Sequence, residues 1–238
     1  MPVPSYIVSC TKNLLIAQDI YEFRFAKPKE CNFKTGQFVL FDVPLVENSA
    51  DIQTRALSIA STPSEDELIF VAKMKEGGRA SRWIMELLKV ESTVRMQGPF
   101  GNFTLDEKTP KDYLFIATST GVAPFRSQII DALKRGDRRR MDLVYGVRSQ
   151  EDLFWDQELI ALTQTYDNFF LHLALSNPTN DWKGHRGRVQ TLMPQIIHDF
   201  SRKSVYVCGS PEMTKELKQL CLEQWTITKT DLHVEGYI

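Results

Sequence analysis

The sequence predicts two successive domains of different class: a small antiparallel β-barrel over residues 1–106, then a doubly wound parallel α/β domain over residues 107–238. Three observations carry this reading. The length of 238 residues suits one large domain or two small ones. Before about residue 105, apolar residues recur in short alternating runs, the period-two mark of half-buried strands. After the polar stretch Asp106–Lys111, continuous apolar runs alternate with segments of helical period, as in a parallel sheet covered on both faces.

In the first half, Ile20–Phe25 alternates apolar and polar side chains. Gly36-Gln37 opens a β-rich run, Phe38–Val43, which Pro44 is expected to end because proline cannot donate to a ladder. Leu57–Ala60 and Leu68–Lys73 are further strands, parted by the turn chemistry of Thr62-Pro63-Ser64-Glu65-Asp66. One helix follows Gly77-Gly78, with Ala80, Trp83, Ile84, Leu87 and Leu88 at helical spacing. In the second half, Tyr113–Ala117, Leu143–Val147, Phe169–Ala174 and Val205–Cys208 read as strands buried on both faces. Helical patterns lie among them: Phe125, Ile129, Ile130 and Leu133; Leu159–Leu162; Val189, Leu192 and Ile196; Met213, Leu217, Leu220 and Cys221.

Composition narrows the function. Lys and Arg total 29 against 30 Asp and Glu, so no net field draws the chain to nucleic acid or to an anionic membrane. Apolar runs fall far short of the ~20 residues of a membrane helix. The opening MPVPSYIVSC has no signal-peptide character. A cytoplasmic protein without membrane insertion is expected. Cys10, Cys31, Cys208 and Cys221 form no close pair, and His172, His185, His198 and His233 are scattered. Neither a metal site nor a cysteine-ligated cluster is expected from them.

Doubly wound sheets bind ligands beyond the carboxyl ends of their strands, where the strand order reverses. Thr118-Ser119-Thr120-Gly121-Val122-Ala123-Pro124 follows the first such strand and opens a helix, a start suited to pyrophosphate. Tyr145-Gly146-Val147-Arg148 and Cys208-Gly209-Ser210-Pro211-Glu212-Met213 end two more. In the first half, Arg55-Ala56-Leu57-Ser58 offers a cation and a hydroxyl, and Gly78-Arg79-Ala80-Ser81 opens the helix. One anion-ready helix start per domain suggests two nucleotide-like ligands.

Taken in order, Arg55-x-Leu57-Ser58-Ile59-Ala60-Ser61, Gly78-x-x-Ser81, Gly98-Pro99-Phe100-Gly101-x-Phe103, Thr120-Gly121-Val122-Ala123-Pro124, Tyr145-Gly146-x-Arg148 and Cys208-Gly209-x-Pro211-x-Met213 resemble the ferredoxin–NADP reductase superfamily. Val234-Glu235-Gly236-Tyr237 resembles that family's C-terminal Val-Glu-x-Tyr, with Ile238 as one residue more. The resemblance implies an FAD-binding barrel and an NAD(P)-binding α/β domain. It implies a flavoenzyme taking a hydride from NADH or NADPH and passing electrons to a separate acceptor, with ferredoxin or flavodoxin the first expected carrier. A flavin or quinone reductase, or a non-catalytic FAD-binding electron-transfer subunit, are the alternatives. Retention of Ser58, Cys208, Glu235 and Tyr237 argues against the last.

The resemblance also implies roles. Arg55 pairs with an FAD phosphate, its planar fork suiting that group. Leu57 replaces the usual aromatic residue against the flavin, and Ser58 sits at the isoalloxazine. Gly78, Arg79, Ala80 and Ser81 hold the pyrophosphate, with Lys73 among the cofactor contacts. Thr120, Gly121, Val122, Ala123 and Pro124, with Gly146, Arg148, Gly209, Pro211 and Met213, take the pyridine nucleotide. Cys208 shapes the hydride-transfer geometry, Glu235 aids proton delivery and nicotinamide docking, and Tyr237 covers the flavin face that the nicotinamide must occupy. Ser176-Asn177-Pro178 stands where NADP-preferring members often carry Ser-Arg, which favours NADH, with Arg148, Arg186 and Arg188 as the residues that could reverse it. Two segments keep two readings each. The cluster Lys134, Arg135, Arg138, Arg139 and Arg140 is a dock for an acidic carrier or, preferably, a solvated helix end. The loop Trp182–Arg188 meets the adenosine ribose or faces solvent.

Overall fold

The structure, a computed structural model, describes residues 3–237. The first two residues of the opening segment, and Ile238 after the tyrosine motif, lie outside the described residues. The chain divides into two compact units, Met1–Leu105 with Arg126–Asp131, and Asp106–Phe125 with Ala132–Ile238.

The first unit is built on six strands: β1 (Ser5–Ala17), β2 (Ile20–Ala26), β3 (Phe38–Leu45), β4 (Asn48–Ser58), β5 (Glu67–Lys73) and β6 (Thr93–Phe100). They form one antiparallel sheet in the order β4-β3-β6-β1-β2-β5. Its edge strands β4 and β5 do not pair with each other among the described residues, so the expected barrel is a curled half-barrel. Alternation along β2 and β3 turns Phe23, Phe25 and Phe41 inward, where they meet Phe70 and Trp83 at centroid distances of 5.0–6.2 Å. Tilted and edge-on contacts of this kind add about 0.5–1.5 kcal/mol per pair beyond burial.

Three expectations are corrected here. Pro44 does not end β3. It pairs opposite Ile52 at a register shift, and β6 has already left β3 at Phe41, so the missing N–H breaks no ladder on that side. The strand expected at Leu57–Ala60 is only the tail of β4, which starts at Asn48 and ends at Ser58. The helix begins as α1 (Arg79–Arg82) and widens into a π turn over Trp83–Leu87, closed by Leu88 N–H to Trp83 O at 2.8 Å. Leu88 is buried as the helical spacing predicts, whereas Leu87, within the widened turn, is exposed against it.

The second unit holds β7 (Asp112–Thr118), β8 (Met141–Val147), β9 (Phe169–Leu175), the short β10 (His185–Arg186), β11 (Lys203–Gly209) and β12 (Leu232–Gly236). All pair parallel, in the order β10-β9-β8-β7-β11-β12. Around them run α2 (Ala123–Lys134), α3 (Asp156–Thr165), α4 (Val189–Ile196) and α5 (Pro211–Glu223). The four expected strands are the four central ones, and β10 and β12 are additional edges. β7, β8 and β11 are buried as predicted, whereas β9, flanked on its outer side only by the short β10, is half-buried from Phe170 to Leu173. The strand order reverses between β7 and β11, and that point receives a ligand in sheets of this class.

One buried charge sits inside the sheet. Asp142 of β8 has no exposed surface and is met by Lys203 Nζ at 2.9 Å, Arg140 at 2.8 Å and His172 Nε2 at 3.2 Å. Burial pushes its carboxyl up, but the hydrogen bonds from His172, Arg140 and Lys203 outweigh it and hold the group well below the usual carboxylate range.

Candidate functional site

In the first unit the expected phosphate residues lie on β4 and at the start of α1. Arg55 and Leu57, two residues apart on β4, share one face of the strand and are half-buried, whereas Ser58 turns to the other face and is buried. The Arg55 guanidinium donates to Thr54 O at 2.8 Å and to Gln53 Oε1 at 2.9 Å, both neutral acceptors. Its charge is met by no carboxylate among the described residues, which is the state a phosphate-binding arginine needs.

Arg79 differs. Its fork is spent on Asp51, with Nη1 to Oδ1 at 3.1 Å, Nη2 to Oδ2 at 3.0 Å and Nη1 to the Asp51 carbonyl at 2.7 Å. That pair ties the start of α1 to β4, leaving Arg79 its backbone N–H for an anion. The Ser81 hydroxyl accepts from Lys75 N–H at 2.8 Å, closing the loop before the helix while its own proton stays available. First-turn N–H groups of a helix have no intrahelical acceptor, and a Cβ placed at Gly77 would meet nothing within 4 Å. The residues present therefore fit a dinucleotide phosphate. Lys73 ends β5 opposite Ile20 and is exposed.

In the second unit the site is set by two glycines at the reversal point. The Gly121 turn packs on the end of β11 so closely that a Cβ there would lie 2.7 Å from Gly209 Cα. Gly209 has φ +153°, and a Cβ on it would strike Thr118 Oγ1 and Met213 Cε. Both positions exclude a side chain because the ends of β7 and β11 must touch. Of the run Thr120–Pro124, Thr120 is half-buried while Gly121, Val122, Ala123 and Pro124 are buried. Gly146 is buried in β8 against Val189, Met213 is buried under the turn, and Arg148 and Pro211 are exposed. Ser210 caps α5, accepting from Met213 N–H at 3.3 Å.

Parallel pairing of β11 with β12 places Glu235 beside Cys208 and Gly236 beside Gly209, and Tyr237 N–H donates to Gly209 O at 3.0 Å. Cys208, Glu235 and Tyr237 are thus gathered at one strand end. Cys208 is fully buried. Burial pushes its thiol up, the Glu235 charge adds to this, and a side-chain hydrogen bond with Tyr237 opposes it. The thiol is therefore held in its neutral form, which is not that of a nucleophilic cysteine.

Both segments that keep two readings have internal partners. Arg135 pairs with Glu107 at 2.7 Å, Arg139 with Asp137, and Arg140 with Asp142, so three of the five clustered cations are already matched. Arg186 Nη2 donates to the carbonyls of Thr179, Asn180 and Trp182 at 3.0, 3.0 and 2.9 Å, bracing its own loop. Sequence reasoning missed Asp51 as the partner of Arg79 and the whole set around Asp142. An isolated Asp at the head of an apolar strand was the only signal of the latter.

An antiparallel half-barrel with a free arginine and an open helix start, followed by a doubly wound sheet with a glycine-sealed reversal point, defines a flavin- and pyridine-nucleotide-dependent oxidoreductase. The family described as the oxidoreductase FAD-binding domain matches residues 8–105, and that described as the oxidoreductase NAD-binding domain matches residues 115–219. Ferredoxin–NADP reductase B of Sorangium cellulosum (strain So ce56) is 31% identical over 221 residues, covering 90% of this chain and 89% of its own length. The reductase component DmpP of phenol 2-monooxygenase from Pseudomonas sp. (strain CF600) is 33% identical over 86% of this chain; the chain spans 58% of that longer protein. A ferredoxin NADP+ reductase from Neisseria gonorrhoeae, solved with bound FAD and NADP, shares the fold at TM-score 0.83 and 22% identity, covering 98% of each chain. This chain belongs to the ferredoxin–NADP reductase superfamily. It is an FAD-dependent oxidoreductase that moves electrons between NAD(P)H and an acceptor.

Proposed function

We propose that the chain is the reductase of a separate electron-carrier protein, a ferredoxin or a related component that serves an oxygenase, and that NADH is its donor. Bound FAD supplies the exchange between a two-electron hydride and single electrons. The observation that carries the reading is the gathering of Cys208, Glu235 and Tyr237 at the end of β11 and β12, beside the reversal point where a nucleotide binds. The relatives support the choice of carrier, since one is by name a ferredoxin reductase and another a monooxygenase reductase component. Four free cysteines suit a reducing compartment, and we place the protein in the cytoplasm. No helix among the described residues is long and apolar enough to cross a membrane.

Within this reading, Arg55 and the first-turn N–H groups at Gly78–Ser81 hold the FAD phosphates, and Ser58 and Leu57 orient the ring system. Lys73 adds a cation at the rim. Thr120 and the backbone of Gly121–Pro124 receive the pyridine-nucleotide phosphates, with Gly146, Arg148, Gly209, Pro211 and Met213 framing the cleft. Glu235 orients the nicotinamide carboxamide and holds a proton near it. The buried Cys208 sets the depth at which that ring rests. Steady-state turnover with NADH against a panel of ferredoxins, flavodoxins, free flavins and quinones tests the assignment. The reading expects a ferredoxin-type protein to be the best acceptor; faster turnover of free flavin or quinone than of every carrier protein would replace it.

Two results follow from individual residues. Tyr237 holds the place beside Cys208 that the nicotinamide takes, so Tyr237→Ser is expected to tighten NAD+ binding and slow turnover. Stacking is worth about 0.5–1.5 kcal/mol, which sets the gain at roughly two- to tenfold. Titration with NAD+ that shows unchanged affinity, together with unchanged turnover, would remove the ring from that place. For the coenzyme, no arginine follows Ser176, so the place where NADP-preferring members often carry a cation for the 2′-phosphate has none. The expected kcat/KM favours NADH by about tenfold or more, equivalent to about 1.4 kcal/mol. A tenfold preference for NADPH would show that Arg148, Arg186 or Arg188 supplies the missing cation.

A further inference from the structure

β12 is the outer strand of the parallel sheet and pairs only with β11 among the described residues. Two bonds fix which of its backbone groups face inward. Asp231 O accepts from Val205 N–H at 2.7 Å, and Tyr237 N–H donates to Gly209 O at 3.0 Å. The odd-numbered residues 231–237 therefore spend their main-chain groups on β11. Their neighbours Leu232, Val234 and Gly236 turn N–H and C=O to the free edge. An edge of this kind is a template for another strand unless charge, proline or a covering element blocks it. Leu232, Val234 and Gly236 carry none of those blocks in their own side chains.

Beside that edge lies a cleft of about 300 Å³, lined by Val234 and Gly236 on one wall and by Pro211, Thr214, Lys215 and Lys218 of α5 on the other. Among the described residues its only charged lining residues are the two lysines, both exposed. The helix is charge-sided. Lys215 and Lys218 flank the cleft, whereas Glu212, Glu216 and Glu223 lie around the other flank, with Glu216 accepting from Gln190 Nε2 at 2.7 Å. The cleft thus presents an unpaired backbone edge under a positive rail.

We propose that this groove docks an extended acidic segment of a partner protein, which adds to the sheet as a further strand. Main-chain bonds to Leu232, Val234 and Gly236 supply the affinity, and carboxylates supply the choice of partner. The spacings agree. Side chains three apart on a helix stand about 5–6 Å apart, and alternate residues of a strand stand roughly 6.5–7 Å apart. Acidic residues at two alternate positions of the added strand therefore reach Lys215 and Lys218 together. Pro211 borders both this groove and the pyridine-nucleotide cleft. Lys215 and Lys218 belong to neither the FAD nor the nicotinamide contacts, so a change at the two lysines tests the groove without touching the redox site.

The test uses the FAD-loaded chain and a capped peptide, Thr-Val-Glu-Val-Glu-Val-Thr-Ser, in titration calorimetry. Three companions accompany it: a twin with Lys in place of both Glu, a copy N-methylated at alternate residues, and a Lys215→Glu/Lys218→Glu protein. The proposal expects the acidic peptide to bind and both altered peptides to lose binding. It expects the double variant to bind the acidic peptide at least about tenfold more weakly, with NADH turnover unchanged. Absence of binding by the acidic peptide, or equal binding to the double variant or by the N-methylated copy, overturns it. So does sedimentation showing that the β12 edge is covered by a second copy of the chain.

Discussion

Arg55→Ala is expected to purify largely without flavin. The guanidinium has only Thr54 O and Gln53 Oε1 as acceptors, so its charge is available to a phosphate and nothing else in the first unit repeats it on β4. Arg79, the other arginine near the helix start, is held by Asp51 and cannot swing in without breaking a two-pronged pair. Loss of a charge-assisted bond to phosphate costs about 1.5–3 kcal/mol, or roughly one to two decades of FAD affinity. Flavin content after gel filtration and a fluorescence titration with FAD read the effect. Full flavin occupancy at unchanged affinity would show that Arg55 does not touch the cofactor. The half-barrel should fold normally in the variant, because Arg55 contributes no buried contact to the aromatic core.

Asp142→Asn carries the largest expected loss of stability. The carboxylate is the shared counter-charge of Lys203 and Arg140, and Lys203 is itself almost buried, with a second carboxylate, Asp112, farther off at 3.6 Å. Removing one partner of a buried pair strands the other, and such changes cost about 3–5 kcal/mol. Denaturant unfolding followed by the second unit's tryptophans is expected to show a clear drop, and a change under about 1 kcal/mol would mean that the set behaves as a surface pair. The pH dependence has a definite sign. The folded carboxyl lies below its unfolded value of about 3.9, so its contribution is complete above that pH. It is lost as pH falls below about 4. In Asp142→Asn this acid-side loss should be smaller.

The legibility of the fold followed burial. The central strands β7, β8 and β11 are covered on both faces, so their apolar runs were readable; β9 is only half-buried along its middle and was read from its apolar composition alone. β12 is half-covered, and Leu232-His233-Val234-Glu235 alternates over too few residues to distinguish a strand from a tail. The π turn at Trp83–Leu87 escaped because periodicity assumes a constant turn, and the widened turn leaves Leu87 exposed while Leu88 stays buried. Pro44 misled because whether a missing N–H matters depends on which neighbour the strand still has at that point. Site residues showed the same division. Thr120–Pro124 and Cys208–Met213 announce themselves as short local motifs after strands. The meeting of Cys208 with Glu235 depends on a strand register that no local pattern encodes; the family's C-terminal motif was its only trace. Long-range partners were invisible for the same reason: Asp51 is 28 residues from Arg79, and Asp142 is 61 from Lys203.

Two cofactor-binding units in one chain should pass a hydride from nicotinamide to flavin, and anaerobic mixing of the FAD-loaded protein with stoichiometric NADH tests this most directly. The visible absorbance of oxidised flavin should bleach in a single binding-dependent phase, and return when an oxidised ferredoxin is added. A protein that binds FAD but keeps that absorbance unchanged through excess NADH and NADPH would contradict the account.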